Sequence, residues 1–441
     1  MDARSRTRLD TDVLVVGGGA AGVATAVTAA RQGLDVTLVE RYGFCGGGAV
    51  AGLSGTVCGL YEATDRRKSG PTQVVFGFAD EFCRRLADMG GLADPAVYGK
   101  TWTRVHDPLI WREAADAFLA GTGVRIMFHA LAFGVHMDND CIRGLEIWTK
   151  EGVVDARAPM IVDASGDADV IAMAGLPATI GNGGRVQNPT MIFRLLGVDT
   201  DRFTQAYGDD TIMPPAVTEM IHAANNTGRY VLPRAKIWLF RTTRPGELLC
   251  NCTRILGPDG RELNTLFWRD FSDAESEGRR QVREYARFFR DHLTGCEEAF
   301  VNDTGVQVGV RQTRQIGGVR TLMNEDVVRG TKFEDGIARS PWPIELHSGA
   351  KPRVKWLLDD AYEIPFECFV PERGEGLLAA GRCLSAQHEA VASARVTAQC
   401  FAYGHAIGHA AALAVKEKIA PRDISGRDLR LILNRDGARL D

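Results

Sequence analysis

The stretch Asp12–Glu40, DVLVVGGGAAGVATAVTAARQGLDVTLVE, leaves this chain few choices of fold. Asp12 to Val16 is an apolar run long enough for one buried strand. Gly17, Gly19 and Gly22 follow it as G-x-G-x-x-G. An alanine-rich segment to about Gln32 then reads as a helix, which Gly33 stops. Asp35 to Val39 is a second strand, closed by Glu40. Strand, helix, strand and terminal acid make a complete βαβ unit, the context the glycine pattern needs. Gly17 would make the tight turn, Gly19 would let backbone approach a pyrophosphate, and Gly22 would let helix and strand pack closely. The free N–H groups of the helix would face the phosphates, and Glu40 would accept from ribose hydroxyls. A bound dinucleotide is expected, and the unit alone suits FAD or NAD.

At 441 residues the chain is too long for one simple core, so two domains or one interrupted domain are expected. Lys and Arg number 52 against 56 Asp and Glu, a net charge of −4 with no basic excess to attract nucleic acid. No run of 18 apolar residues occurs and no apolar leader precedes the first strand, so a cytoplasmic protein with no membrane contact is expected. None of the ten cysteines forms C-x-x-C, so zinc and iron–sulfur spacing is lacking and reduced, mostly buried thiols are expected. His405 and His409 form H-x-x-x-H on one helix face, but no third ligand is tied to them in sequence, and no metal site is expected.

After Glu40 the chain runs through Arg41 and Tyr42 into Gly46-Gly47-Gly48, a loop whose backbone amides could line a pyrophosphate. Phe76 to Met89 reads as an amphipathic helix. Asp107-Pro108 opens another, with Asp107 as N-cap. Val124 to Phe128 is a strand. Ala132–Val135, Cys141–Thr149 and Val153–Ala156 form a β-meander, and Met160–Asp163 is a further buried strand. The middle carries most of the long charged segments, including Glu275 to Arg290, which reads as an exposed helix. Cys250 and Cys252 alternate as in a strand and are expected to pack. From Pro365 the first pattern returns, with a strand over Gly376–Ala380, a turn at Gly381-Arg382-Cys383, and a helix over Thr397–Lys416. The expected architecture is α/β. A Rossmann-like nucleotide-binding domain, residues 1–186 and 364–441, is interrupted by an α+β substrate domain, residues 187–363.

Five separated blocks together resemble the FAD-dependent oxidoreductase family with a glutathione-reductase-like FAD domain. They are Gly17–Gly22 with Glu40; Tyr42–Gly47 and its continuation to Gly59; Ile161–Val170, similar to D-A-T/S-G-D-x-D-V; Gly309–Ile316, similar to G-I-R-E-x-R-R-I; and Leu378–Ala390 with Ser393–Val396. The resemblance implies FAD as cofactor and a small organic molecule as substrate. It implies that Gly17, Gly19, Gly22 and Glu40 hold the ADP half, that Ala21 and Arg41 also bind the cofactor, and that Gly46 and Gly47 lie beside the flavin side of the pyrophosphate. Backbone near Leu131 would hold the adenine, with Ala164 to Gly166 passing beneath it. Gly381 and Arg382 would meet the ribityl phosphate, and the helix from Thr397 would aim its N-terminus at the flavin N1/C2 carbonyl. The second glycine motif of disulfide reductases is absent. Gly48 stands near where the histidine for covalent flavin attachment would fall, which leaves Cys45 and Cys58 as minor candidates for such a link.

Flavin performs the redox step, and the protein supplies orientation, a proton acceptor and electrostatics. His388 ranks first among candidate bases because it lies in the closing block, ahead of His347, His106, Glu389 and Tyr362. Arg395 is expected near the flavin, with Arg311 as the second cation able to grip a carboxylate, and Arg314 as a structural salt bridge. The expected activity is hydride transfer between a small organic substrate and flavin N5, by a dehydrogenase or oxidase that could associate as a homo-oligomer. A flavin monooxygenase and an electron-relay subunit of a larger complex are the alternatives.

Overall fold

The computed structural model describes residues 6–66, 70–347 and 353–441. At its centre lies a five-stranded, all-parallel sheet in the order Leu377–Ala379, Met160–Asp163, Val13–Val16, Val36–Val39, Arg125–Met127. The runs VLVV, VTLV and MIVD are buried at every position. A parallel sheet covered on both faces needs such continuous apolar sequence rather than alternation. The strand that completes the sheet beside Met160–Asp163 comes from the far end of the chain, as expected.

The helix Ala20–Arg31 covers this sheet together with the long helix Thr397–Glu417. The two helices cross at very short range. A Cβ added at Gly404 would fall 2.1 Å from the Ala21 carbonyl oxygen, and one at Gly408 would fall 2.5 Å from Thr28 Cβ. Helix Pro108–Gly121 starts on the predicted cap, with Asp107 accepting from Leu109 N at 2.8 Å. The meander Leu131–Asp138, Cys141–Thr149, Gly152–Arg157 is present, with Arg6–Asp10 added as a parallel edge strand.

A second, antiparallel sheet has the order Trp238–Arg241, Glu247–Asn251, Phe193–Leu196, Phe300–Thr304. Its core draws on residues from Met191 to Val308, including Cys250 and Cys252. The helix expected over Glu275–Arg290 spans Trp268–His292, and it is amphipathic rather than exposed. Ala274, Val282, Tyr285, Phe288 and Phe289 form a buried stripe facing this core, while the arginines and glutamates occupy the other side. Buried residues after Val308, from Leu322 through Ile337, Ile344 and Tyr362, pack into the first core. We propose from this packing that the interrupting unit closes near Val308, upstream of the expected boundary at 363.

Candidate functional site

The glycine loop is shaped by what lies behind it. Gly17 has φ +102°, and a Cβ there would fall 2.5 Å from the Ala164 carbonyl oxygen. A Cβ at Gly22 would fall 1.8 Å from the Gly17 carbonyl oxygen. Any side chain at either position would push the helix away from the strand. The second glycine loop presses on the first: Gly46 N donates to Gly18 O at 2.7 Å, and a Cβ at Gly47 would fall 2.9 Å from Gly19 Cα. Glu40, at the end of its strand, accepts from Gly18 N at 2.6 Å and from Tyr42 N at 2.9 Å. Its carboxylate therefore ties both loops to one strand end, and burial raises its pKa against these hydrogen bonds.

Opposite these loops stands the turn 163–169. Asp163 is fully buried and accepts from Ser165 Oγ at 2.6 Å, Val170 N at 2.8 Å and Ile171 N at 3.1 Å. Burial pushes its carboxyl up to about 6. Arg382 fastens this turn, donating to Asp167 Oδ1 at 2.6 Å, to Gly166 O at 3.0 Å and to the carbonyl of Val310. Arg314 donates to Asp167 O and to Asp169 Oδ1, the structural ion pair expected of it.

One cavity runs between these parts. Gly17, Gly19, Ala21, Glu40, Arg41, Gly46, Gly47, Leu131, Ala164, Gly166, Gly381, Arg382 and Arg395 all line it. Gly22 is buried just behind, in the helix. Val396, Thr397 and Cys400, at the start of the long helix, close one side. The donor set suits a dinucleotide: bare backbone at a helix N-terminus, a carboxylate at the next strand end, and no side chain filling the glycine cradle.

Beyond the glycine loops the same cavity is walled by Ile192, Tyr98, Phe240, Trp342, Glu345, His347 and Arg311. Tyr98 Oη donates to Glu345 Oε1 at 2.8 Å, and His347 Nε2 lies 3.4 Å from the same oxygen. Burial and Arg311 hold His347 well below its usual value, so its imidazole is neutral. Burial opposes the charge of Glu345, but His347 first, then Tyr98 and Arg234, hold its pKa low. Arg311 Nη1 donates to Asn188 O at 2.7 Å, and Arg395 Nη2 to Gln187 Oε1 at 3.3 Å.

Several expectations need correction. His388 does not line this cavity. It lies in a separate one with Arg185, Glu262, Arg353 and Glu389. The reason is the helix His388–Ala394, which carries the chain about 10 Å before Arg395 reaches the cavity wall. Tyr362 is fully buried on Ser393 at 2.8 Å, His106 packs on Trp111, and Glu389 pairs with Arg353; none of the three lines the cavity. Cys45 is buried behind Gly18 and does not line it either. Cys58 does, as a thiol pushed up to about 11 by burial. His405 and His409 have a carboxylate that their spacing did not reveal: Asp436 Oδ2 lies 2.7 Å from His405 Nε2 and 2.9 Å from His409 Nε2.

Sequence reasoning missed Glu345 and Tyr98 and ranked His347 low. A signal was present: in P-W-P-I-E-L-H, glutamate and histidine alternate with apolar residues over a short buried strand, Ile344–Leu346, and the residue that follows it. It also missed Gln307, whose Oε1 accepts from Arg41 Nη2 at 2.8 Å and from the Tyr42 hydroxyl at the cavity wall.

The sequence model of the FAD dependent oxidoreductase family matches residues 12–433. Among solved structures, the chain is similar to a geranylgeranyl bacteriochlorophyll reductase-like protein from Thermoplasma acidophilum, at 15% identity and a TM-score of 0.52, over 98% of this chain and 85% of that one. It is also similar to a flavin-dependent brominase, at 13% identity and a TM-score of 0.50, over 97% and 84%. At these identities the two likenesses concern the fold. No helix among the described residues is long and apolar enough to cross a membrane.

Proposed function

The chain belongs to the FAD-dependent oxidoreductase family, its cofactor is FAD, and on that premise we propose that it is a dehydrogenase or oxidase acting on a small organic molecule. When bound, FAD would supply at N5 the two-electron acceptor for a hydride from a substrate C–H bond, and the protein would take the substrate's O–H or N–H proton. The observation that carries this reading is the continuity of one cavity from the glycine cradle to the Tyr98–Glu345–His347 cluster. His347 turns Nε2 toward Glu345, which leaves Nδ1 to take the substrate proton. Glu345 orients the imidazole and stabilises its protonated form, and Tyr98 fixes Glu345. Tyr98, Phe240 and Trp342 exclude water from that end.

Within the cradle, Gly17, Gly19 and Ala21 would receive the pyrophosphate, with Gly22 behind them holding helix against strand; Glu40 and Arg41 would take the adenosine ribose, and Leu131 the adenine side. Gly46, Gly47, Ala164, Gly166, Gly381 and Arg382 would frame the remainder. Arg395 and the N-terminus of Thr397–Glu417 would offset negative charge on the reduced ring. We also propose a protein that works in solution on a small molecule, without nucleic acid or membrane.

Anaerobic stopped-flow mixing tests the reading. Bleaching of the flavin by a small organic substrate, without NAD(P)H, is expected. Bleaching by NAD(P)H alone, with oxygen uptake coupled to hydroxylated product, would instead identify a monooxygenase.

A further inference from the structure

Three guanidinium groups meet at the substrate end of the cavity, and a single carboxylate faces them. Arg311 and Arg395 line the cavity, and Arg234 lies behind Trp238, its guanidinium carbon 4.1 Å from the ring centroid. Among the described residues, none of the three has a carboxylate oxygen within 4.0 Å. Arg234 is 4% exposed and Arg311 is 7% exposed. A buried charge without a counter-charge is costly, and folds retain one where a ligand supplies the counter-charge.

Each of the three keeps donors without a partner, and their positions differ. Arg234 spends Nε on Lys236 O at 2.9 Å and Nη1 on Asn251 Oδ1 at 3.1 Å, and it does not line the cavity. Arg395 touches Gln187 and sits at the C-cap of the helix that precedes Thr397, on the side assigned above to the flavin ring. Arg311 has five N–H donors. Only Nη1 is engaged, by Asn188 O, and the remaining donors border the cavity beside His347. Glu345 attracts all three guanidinium groups, and one carboxylate cannot balance three cations; with Arg395 on the side assigned to the reduced ring, Arg311 is the cavity cation left for a ligand anion.

We propose that the substrate is a small organic acid whose carboxylate is gripped by Arg311. The grip is a fork of two N–H···O bonds, which places the oxidisable carbon between the flavin and His347. The carboxylate is the missing counter-charge; it forms and breaks no covalent bond. The remaining wall, of Ile192, Phe240 and Trp342, admits an apolar or lightly substituted carbon skeleton. This inference rests on the hydride-transfer reading for the identity of the site, but its test reads binding and not turnover.

The FAD-loaded protein is titrated at constant ionic strength with acetate, propanoate and benzoate, with the matched amides, and with inorganic phosphate and sulfate, following the visible flavin spectrum. Carboxylates are expected to perturb the spectrum saturably, each at least about tenfold more tightly than its amide. Arg311→Gln should weaken the carboxylates by about 10–100-fold with flavin content unchanged, and Arg311→Lys should fall between, because lysine keeps the charge and loses the fork. Should Arg311→Gln lose its flavin, the Arg311→Lys series and the wild-type amide comparison still decide. Amides binding as well as acids, phosphate or sulfate binding more tightly than any carboxylate, no carboxylate perturbing the spectrum, or Arg311→Gln binding acids unchanged would each overturn the proposal. A flavin reduced by neutral alcohols or amines but indifferent to carboxylates would remove the proposal and leave hydride transfer standing. Reduction by NAD(P)H alone, with carboxylates still bound through Arg311, would do the reverse.

Discussion

Glu345 is 7% exposed on a three-residue strand, and its position is tolerable because Tyr98 and His347 meet it. Glu345→Gln would keep the shape and remove the charge that supports a protonated His347. Anaerobic flavin reduction by substrate should slow by about 100-fold with flavin content intact, within the range for loss of assisted proton transfer. His347→Asn should slow it similarly, and the double variant should be little worse than either single one, since the two residues act as a unit. At the other end of the cavity, Gly22→Ala places a methyl group 1.8 Å from the Gly17 carbonyl oxygen. The expected product is a folded protein that leaves gel filtration largely without flavin, measured by the ratio of visible to ultraviolet absorbance. The glycines were legible because a short pattern specifies a local turn. The Tyr98–Glu345 pair was not, because its members lie 247 positions apart and meet only through the substrate-side wall.

The last two helices make a separate point about elements. Helix Gly426–Arg435 docks on Thr397–Glu417 partly through Asp436, which both imidazoles of the H-x-x-x-H pair contact. Burial lowers the pKa of His409, while hydrogen bonding to His405, the first of several causes, holds Asp436 below the usual carboxylate range. Asp436→Asn should loosen this clasp by about 1 kcal/mol, a modest cost because the carboxylate is half exposed. Hydrogen exchange should rise across Gly426–Arg435 and stay unchanged in the parallel sheet. The helical spacing of the two histidines was readable in the sequence, but their carboxylate arrives from the next helix. Helix Trp268–His292 teaches the same lesson: its charges suggested exposure, and its apolar stripe acquired a direction only when the second sheet lay beneath it.

Across the whole molecule, two buried neutral histidines couple stability to acid. His106, with both ring nitrogens lacking partners, is held down to about 4 by burial, and His347 is also held low by burial. The unfolded chain binds these protons near pH 6.5 and the folded chain does not. Stability is therefore fully present above that pH and falls as pH drops below it, until the folded values are reached. Asp163, raised to about 6, works in the opposite direction over this range, so the histidine contribution is read by difference: between about pH 6 and 4.5, urea unfolding of the protein should lose about 1 kcal/mol more per pH unit than that of His106→Phe. The βαβ unit, the closing strand and helix, the β-meander and the tight glycine loops were determined by sequence alone, because local periodicity and glycine sterics act within tens of residues. Tertiary structure alone decided which histidine faces the cavity, and that Tyr98, Glu345, His347 and Arg311 share one wall. Those depend on how two cores are set against each other, and burial then assigns each side chain its charge.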